Sequence, residues 1–172
     1  FSKLGYEVRI AKFHESGRTW LSKGLVRKAK KIANKNIEYF AEIVSNDMQL
    51  VGIEPSAILS FRDEYPDLAY ERNKTKSQKL AENTFLFDAF ICNEMVAGNI
   101  TSEMFTDAKA NILFHGHCQQ QSLIGTKFTK QALSLPKNFT VSEIPSGCCG
   151  RAGSFGYEKE HYDLSMQIGE LV

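Results

Sequence analysis

Short apolar stretches along the chain predict four β-strands. They lie at residues 6–11, 50–53, 110–114 and 139–144. The first alternates between apolar and polar positions, which is typical of a half-buried strand. Residues 50–53 are continuously apolar, as in the buried strands of parallel sheets.

Between these strands, apolar residues recur at the three- and four-residue spacing of amphipathic helices. The predicted helices cover residues 23–47, 56–65, 77–97, 121–135 and 157–171, with a short helix or loop at 99–107. Ser22 and Ser56 are the predicted N-caps of the first two helices, and Pro66 is expected to end the second. Strands that alternate with helices predict an α/β fold with short, mostly parallel strands flanked by helices.

A weak internal repeat divides the chain into two halves. Gly17-Arg18 recurs 133 positions later as Gly150-Arg151, and each pair follows a predicted strand and precedes a helix. The pattern therefore predicts two similar α/β halves related by a pseudo-two-fold axis. We expect both arginines to satisfy loop carbonyls or to pair with a carboxylate such as Glu54 or Glu64, rather than to act in catalysis.

Composition narrows the function classes. The 172 residues carry a net charge of +1, so no bulk field attracts nucleic acid, and no apolar run is long enough to cross a bilayer. The four cysteines include an adjacent pair, and a chain of this size needs no disulfide staples, which indicates a reducing compartment. The first residue is Phe1, and we expect the sequence to be part of a longer protein.

The residues with the greatest chemical potential lie in two loops of the second half. His115-Gly116-His117-Cys118 directly follows one predicted strand, and Cys148-Cys149-Gly150 follows the next. Loops that leave the carboxyl ends of parallel strands open on one edge of the sheet. Thiolates with a nearby imidazole suit zinc or an iron–sulfur centre.

These loops predict a metal centre whose sulfurs lie in one cluster. Its ligands are Cys118, Cys148, Cys149 and His117, with His115 as an alternative imidazole. Two other interpretations stay open: a disulfide between Cys118 and one of the pair, and a cysteine nucleophile with a histidine base. Cys92 lies on the core face of its predicted helix and is interpreted as a buried apolar residue.

The Cys-Cys-Gly segment and the preceding histidine–cysteine segment resemble the cysteine-rich CCG domain family. This domain occurs in B-type heterodisulfide reductase subunits, glycolate oxidase iron–sulfur subunits and FAD-linked oxidases that carry an iron–sulfur segment. The stretches most similar to the FAD-linked oxidase branch are residues 16–24, 51–56, 62–66 and 150–157. The resemblance covers nearly the whole chain.

The resemblance implies a particular domain organisation. Residues 1–70 would be a degenerate first CCG repeat, 71–78 a linker, and 79–172 a second repeat truncated at its C-terminus. Glu15 and Ser16 stand where the family has its cysteine pair, and Ala57 stands where it has a later cysteine. No second metal centre is therefore carried over to the first repeat, and the second repeat is expected to be empty or poorly occupied here.

In function, the resemblance implies electron transfer within a larger flavin-linked oxidoreductase that oxidises a 2-hydroxy acid such as lactate or glycolate. The cofactor of this domain would be an iron–sulfur cluster or zinc, and FAD would lie in another part of the parent protein. The implied partners are the flavin domain, the ferredoxin-like segment and an electron acceptor. The implied location is the cytoplasm, including the inner face of the membrane. A docking module without metal and a thiol–disulfide catalyst are the alternatives.

Overall fold

The computed structural model describes residues 1–12, 15–145, 147 and 149–171. Its strands are β1 (Leu50–Gly52), β2 (Thr84–Leu86), β3 (Ala110–Phe114) and β4 (Phe139–Glu143). Its α-helices are α1 (Arg18–Ser22), α2 (Val26–Phe40), α3 (Pro55–Ser60), α4 (Glu64–Leu68), α5 (Lys74–Glu82), α6 (Phe87–Val96), α7 (Cys118–Leu123), α8 (Lys127–Leu133) and α9 (Tyr162–Gly169). Short 3-10 helices cover Ser2–Leu4, Glu71–Asn73, Ser102–Met104, Phe155–Tyr157 and Lys159–His161.

The strands form two parallel pairs, which confirms the α/β class. Strand β1 pairs with β2, and β3 pairs with β4 along its full length, from Ala110 opposite Phe139 to Phe114 opposite Glu143. The prediction for β3 is confirmed residue for residue, and those for β1 and β4 each differ by one residue. Short apolar runs between turn-forming residues marked these three strands well.

The strand predicted at residues 6–11 does not form. Val8 and Ile10 are 50% and 96% exposed, and the segment is held by side chains instead of a strand ladder. The Tyr6 hydroxyl donates a hydrogen bond to Glu94 at 2.6 Å, and its ring packs edge-on against Phe90. Alternation of apolar and polar residues is compatible with a β-strand, but a strand forms only where a second strand is available to pair with it.

The helix predicted at residues 77–97 is also wrong, because β2 interrupts it. Helix α5 ends at Glu82, and the Asn83 carbonyl accepts a hydrogen bond from the Leu50 N–H at 2.9 Å. This bond leads the chain into pairing with β1. A run of apolar residues such as 84–87 fits a buried strand as well as a buried helix.

Glycines with left-handed backbone change two predicted helices. Gly125 divides the helix predicted at residues 121–135 into α7 and α8. Gly24 separates α1 from α2, so the helix predicted from residue 23 begins at Val26, and Ser22 ends α1 instead of capping α2. Both turns use backbone angles that glycine adopts at no steric cost.

The ends of the helix predicted at residues 56–65 also need correction. Glu54, not Ser56, caps α3, which ends at Ser60. Pro66 lies in the first turn of α4 instead of ending a helix. Its missing N–H leaves no bond unmade there, because the first turn of a helix has no internal acceptor for that group.

The polar segment at residues 71–78 belongs to the packed structure. It forms a 3-10 turn and the start of α5, and its Asn73 and Ser77 side chains are buried. The Asn73 amide donates hydrogen bonds to Asn34 and Glu38 at 3.0 Å each, which compensates for its burial. The domain boundaries proposed at residues 70 and 79 stay a prediction.

The main core lies between α2 and the helices that follow β1. Tyr65 is completely buried there, donates its hydroxyl proton to the Ser16 carbonyl at 2.8 Å and accepts from the Asn36 amide at 2.8 Å. The same amide donates to the Glu15 carbonyl at 2.8 Å. The core thus holds the backbone of residues 15–16 through hydrogen bonds.

Removing this hydroxyl gives the first testable prediction. We expect Tyr65→Phe to lower the free energy of unfolding by about 1–2 kcal/mol at neutral pH, because the buried Ser16 carbonyl and Asn36 amide lose a partner. Burial raises the pKa of Tyr65 to about 12. The folded wild type holds this proton above pH 10, where tyrosine in the unfolded chain releases it.

Tyr65 therefore favours the folded state fully below pH 10, and this contribution is lost by about 1.4 kcal/mol per pH unit between 10 and 12. Urea unfolding of wild type and Tyr65→Phe at pH 8 and pH 11 measures both effects. The gap between the two proteins should shrink at pH 11. A gap that is unchanged or wider at pH 11 would contradict this account.

The structure does not confirm the predicted similarity of the two halves, although the two loop glycines share one backbone conformation. Gly17 and Gly150 both adopt left-handed backbone, with φ of +79° and +77°. A helix follows Gly17 directly, whereas turns and 3-10 helices follow Gly150 before α9 begins. The similarity of the two halves beyond the glycines stays a prediction.

No helix in the described ranges has both the length and the apolar character needed to cross a bilayer.

Candidate functional site

The two loops with the predicted ligands leave the same edge of the β3–β4 sheet. Phe114 and Glu143 are register partners at the carboxyl ends of their strands. Four residues after Phe114, Cys118 opens α7, and Cys149 lies six residues beyond Glu143. The expectation that both loops open at one sheet edge is confirmed at the level of the backbone.

Cys118 and Cys149 are free and exposed. Cys148 lies outside the described residues. Within the described ranges, no group of three or more His, Cys, Asp or Glu side chains is arranged to hold a metal ion. The predicted cluster of three sulfurs therefore stays a prediction, and so does a disulfide that involves Cys148.

His117 serves as the N-cap of α7. Its Nδ1 accepts a hydrogen bond from the Gln119 N–H at 3.2 Å, so a neutral ring carries its proton on Nε2. Nε2 lies 3.9 Å from the Glu54 carboxylate, and the side chain is 41% exposed. The imidazole thus caps the N-terminus of α7 through Nδ1 and lies next to the Glu54 carboxylate through Nε2. Nε2 is the ring nitrogen that takes no part in the cap.

Glu54 is the site residue that sequence reasoning missed. Its carboxylate accepts hydrogen bonds from the Ser56 N–H at 3.1 Å and from the Ala57 N–H, which caps α3. A glutamate directly before a proline at the first helical position is a helix-start signal that could have been read. Its approach to His117, 63 residues away in sequence, was not readable.

A tightly packed glycine fixes the second loop. Gly150 is buried, and its carbonyl accepts a hydrogen bond from the Ser165 hydroxyl of α9 at 2.9 Å. A β-carbon at this position would lie 2.1 Å from the Ser165 carbonyl oxygen. The loop after Cys149 is therefore built against α9 with no space for a side chain.

A cleft of about 340 Å³ lies between the segments at residues 16–22, 54–56 and 153–157. The cleft is lined by Ser16, Arg18, Thr19, Ser22, Glu54, Ser56, Gly153, Ser154 and Tyr157. An ion pair between Lys23 and Glu158 at 3.3 Å links the chain directly after the first and third of these segments. Most of the lining residues carry a hydroxyl group, so the cleft offers several hydrogen-bonding groups.

Of the two loop arginines, Arg18 pairs with a carboxylate as expected, whereas Arg151 contacts an aromatic ring instead. The Arg18 guanidinium donates to the Glu64 carboxylate, one of the two partners named from the sequence. The Arg151 guanidinium lies over the Tyr157 ring, 4.6 Å from its centroid. The first contact ties the start of α1 to α4, and the second lies within the segment between Gly150 and α9.

Cys92 is buried, as predicted. Its thiol donates to the Phe128 carbonyl at 3.3 Å, and burial raises its pKa, with the nearby Asp88 carboxylate adding to the effect. A raised pKa keeps the sulfur protonated and unreactive. This thiol packs α6 against α8.

The contrast in exposure predicts the order of thiol alkylation. In the reduced, metal-free chain at pH 8, iodoacetamide should modify Cys118 and Cys149 at least tenfold faster than Cys92, because alkylation requires an exposed thiolate. Peptide mass spectrometry over time measures the rates, and the same reaction in 8 M urea is the control, in which the rates should converge. Rapid modification of Cys92 in the folded chain would contradict the structure.

Comparisons with known proteins relate the chain to parts of larger oxidoreductases. It is 27% identical over 171 residues to D-2-hydroxyglutarate dehydrogenase of Escherichia coli strain K12, covering 98% of this chain and 16% of that protein. It is 25% identical over 150 residues to one subunit of the anaerobic glycerol-3-phosphate dehydrogenase of the same strain, covering 87% and 36%. It is 30% identical over 155 residues to lactate utilization protein A of Bacillus subtilis strain 168, covering 87% and 61%.

The chain thus spans between about one sixth and three fifths of the length of these relatives. No family model matches it, and no solved structure matches it. Two of the three relatives are named as a dehydrogenase or as part of one, and this supports a domain of an oxidoreductase.

Proposed function

We propose that the chain is an electron-transfer domain of a larger flavin-linked oxidoreductase, with one metal centre in its second half. The observation that carries the proposal is the pair of free, exposed cysteines in loops at one edge of the β3–β4 sheet. Similarity to parts of two dehydrogenases supports the oxidoreductase context. The parent enzyme would oxidise a 2-hydroxy acid such as lactate or glycolate, with FAD outside this chain.

The donor set fits a thiolate-bound centre in part. Cys118 and Cys149 can each present a thiolate at the sheet edge, and Cys148 is adjacent to Cys149 in sequence. His117 can serve only through Nε2 unless α7 loses its cap, and the Glu54 carboxylate faces that nitrogen. A bound iron–sulfur cluster would supply one-electron transfer, and zinc would supply a structural link between the loops.

The chain's own residues would orient these ligands. Gly150 and Ser165 fix the loop that follows Cys149 against α9, and the Gln120 side chain ties α7 to α6 through Asp88. The ligand loops are thus attached to helices on either side of the sheet edge. Such support lets thiolates stay in place while the charge of a bound centre changes.

A second candidate is a docking or structural module without metal. It is favoured by residues 15–16, whose backbone the core holds through Asn36 and Tyr65 without any thiolate. In this proposal, residues 1–70 and 79–172 are two CCG-type halves of which the first has lost its site. The polar cleft between the halves would then be a remnant of the family's arrangement.

Cobalt titration distinguishes these proposals. The reduced chain, prepared without oxygen, is titrated with Co²⁺, and thiolate-to-metal charge-transfer absorption is recorded. Iron and sulfide reconstitution follows as a parallel assay. We expect binding that is weakened at least tenfold by Cys118→Ser, Cys148→Ser or Cys149→Ser, because each removes a thiolate.

Cys92→Ala is the matched control, since its buried thiol takes no part in the proposed centre. It should bind Co²⁺ like the wild type. Absence of the charge-transfer band, with all surface thiols open to alkylation, would refute the metal centre and favour the docking module. Disulfide reductase activity that depends on a single cysteine, without metal, would instead favour the thiol–disulfide catalyst named above.

A further inference from the structure

A stripe of charged residues runs along one side of α2 and into the turn that follows it. The stripe runs through Arg27, Lys31, Lys35, Glu38 and Glu42, which recur at helical spacing. The opposite side of the helix is buried in the core through residues such as Ala29, Ala33 and Ile37. The stripe is therefore the solvent-facing side of a helix whose apolar side is buried in the core.

The two glutamates at the acidic end of the stripe form ion pairs with basic residues of the same chain. Glu38 pairs with Arg72 at 3.1 Å, and Glu42 pairs with Lys76 at 3.2 Å. Arg72 lies in the 3-10 helix Glu71–Asn73, and Lys76 lies four residues later on α5. A neighbouring segment with charges at helical spacing thus already covers this half of the stripe.

The basic end of the stripe has no such cover. Arg27, Lys31 and Lys35 are exposed, and across the described ranges no carboxylate pairs with them. The other two cations of α2 are engaged by aromatic rings, with Lys28 lying 3.2 Å from the Trp20 ring centroid and Lys30 lying 5.5 Å from that of Tyr70. Three unpaired cations on one helix face make a concentrated positive patch on a chain whose net charge is only +1.

We propose that Arg27, Lys31 and Lys35, the basic stripe, form a docking surface for an acidic helix of a protein partner. Carboxylates on that helix at positions i, i+4 and i+8 would match the spacing of the stripe, about 6 Å per step and about 12 Å in all. The pairing of Glu38 and Glu42 with Arg72 and Lys76 is the same arrangement with opposite signs. Anionic lipid headgroups attract cations without any apolar insertion, so vesicle binding is one of the outcomes of the test.

Nuclear magnetic resonance tests this proposal. The ¹⁵N-labelled chain is titrated at low salt with an alanine-based helical peptide that carries glutamate at every fourth position. Amide shifts should concentrate on residues 27–35, with a dissociation constant on the order of millimolar, since each exposed ion pair contributes little. Binding should weaken about fivefold or more at 0.3 M NaCl, because salt screens exposed charges.

The combined variant Arg27→Glu, Lys31→Glu and Lys35→Glu should abolish these shifts. The matched control, Lys109→Glu, Lys127→Glu and Lys130→Glu, makes the same change of net charge at exposed residues elsewhere and should bind within twofold of the wild type. Circular dichroism of both variants confirms that they are folded. A variant that unfolds is replaced by the single change Lys31→Glu, for which weaker binding is expected.

Three outcomes would overturn the proposal. The first is equal binding of a peptide with glutamine in place of glutamate, and the second is equal loss in both triple variants. The third is absence of peptide binding. If vesicles of phosphatidylcholine and phosphatidylglycerol then perturb the same amides, the ligand of the basic stripe is a lipid surface instead.

Discussion

Gly150→Ala is expected to destabilise the chain by about 3 kcal/mol or more. Two effects combine at this position. The backbone φ is +77°, where a side chain costs roughly 1 kcal/mol or more, and the new β-carbon would lie 2.1 Å from the Ser165 carbonyl oxygen. That oxygen belongs to the backbone of α9 and cannot rotate away. The loop after Cys149 must therefore leave the helix, and the Ser165 hydroxyl loses its bond to the Gly150 carbonyl.

Two other glycines separate these effects. Gly125 has a φ of +72° with nothing within 4 Å of an added β-carbon, so Gly125→Ala should cost about 1 kcal/mol from backbone strain alone. Gly147→Ala also meets nothing within 4 Å of an added β-carbon, so we expect a smaller loss than for Gly150→Ala. Urea unfolding monitored by circular dichroism gives the three values. A Gly150→Ala protein no less stable than Gly125→Ala would show that the contact with α9 is not formed.

Asp88→Ala is expected to cost about 3 kcal/mol in the free energy of unfolding. Asp88 is 1% exposed and accepts hydrogen bonds from the Ala89 N–H at 2.7 Å, from the Gln120 amide at 2.8 Å and from the Thr129 hydroxyl. It joins three helices, because these partners lie on α6, α7 and α8. Its removal leaves buried donors without an acceptor, which costs more than the loss of the bonds themselves.

A double-mutant cycle tests this explanation. Gln120→Leu removes one of the stranded donors, so Asp88→Ala with Gln120→Leu should be less destabilising than the sum of the single changes. The surface control Asp107→Ala should change the free energy by less than about 0.5 kcal/mol. Hydrogen exchange should also show faster opening of α7, the helix that begins at Cys118. Strict additivity in the cycle would contradict a shared network.

Strands were predictable from the sequence where a local signal and a neighbour coincided. Strand β3 is largely apolar and β4 alternates between apolar and polar residues, and each is the partner of the other. Residues 6–11 show an equally good alternation but have no strand beside them among the described residues. Residues 84–86 carry an apolar run that fits either state, and pairing with β1 decided it. The pattern of apolar and polar residues limits the secondary structures that a segment can adopt, and tertiary contacts decide which of them forms.

The candidate site was predictable in its placement but not in its contacts. The order of strand, loop and cysteine was enough to place Cys118 and Cys149 in loops at one sheet edge. The approach of His117 to Glu54 could not be predicted, because it depends on where two distant loops lie. The capping role of His117 is a local contact with the Gln119 N–H, two residues away, and was not assigned from the sequence. The pairing of Arg18 with Glu64 was one of two alternatives, and packing of α4 against α2 selected it.

The hydrogen bonds from Asn36 and Tyr65 to the backbone of residues 15–16 determine which part of the chain resists oxidation. Oxidation attacks exposed thiols first, and those of Cys118 and Cys149 both lie in the second half. Ser16, which lines the cleft, is held by the Tyr65 hydroxyl, and the neighbouring Glu15 carbonyl is held by the Asn36 amide. Neither of these groups takes part in thiol oxidation. Oxidation would therefore act first at the edge of the β3–β4 sheet and leave the hydrogen bonds that hold residues 15–16 in place.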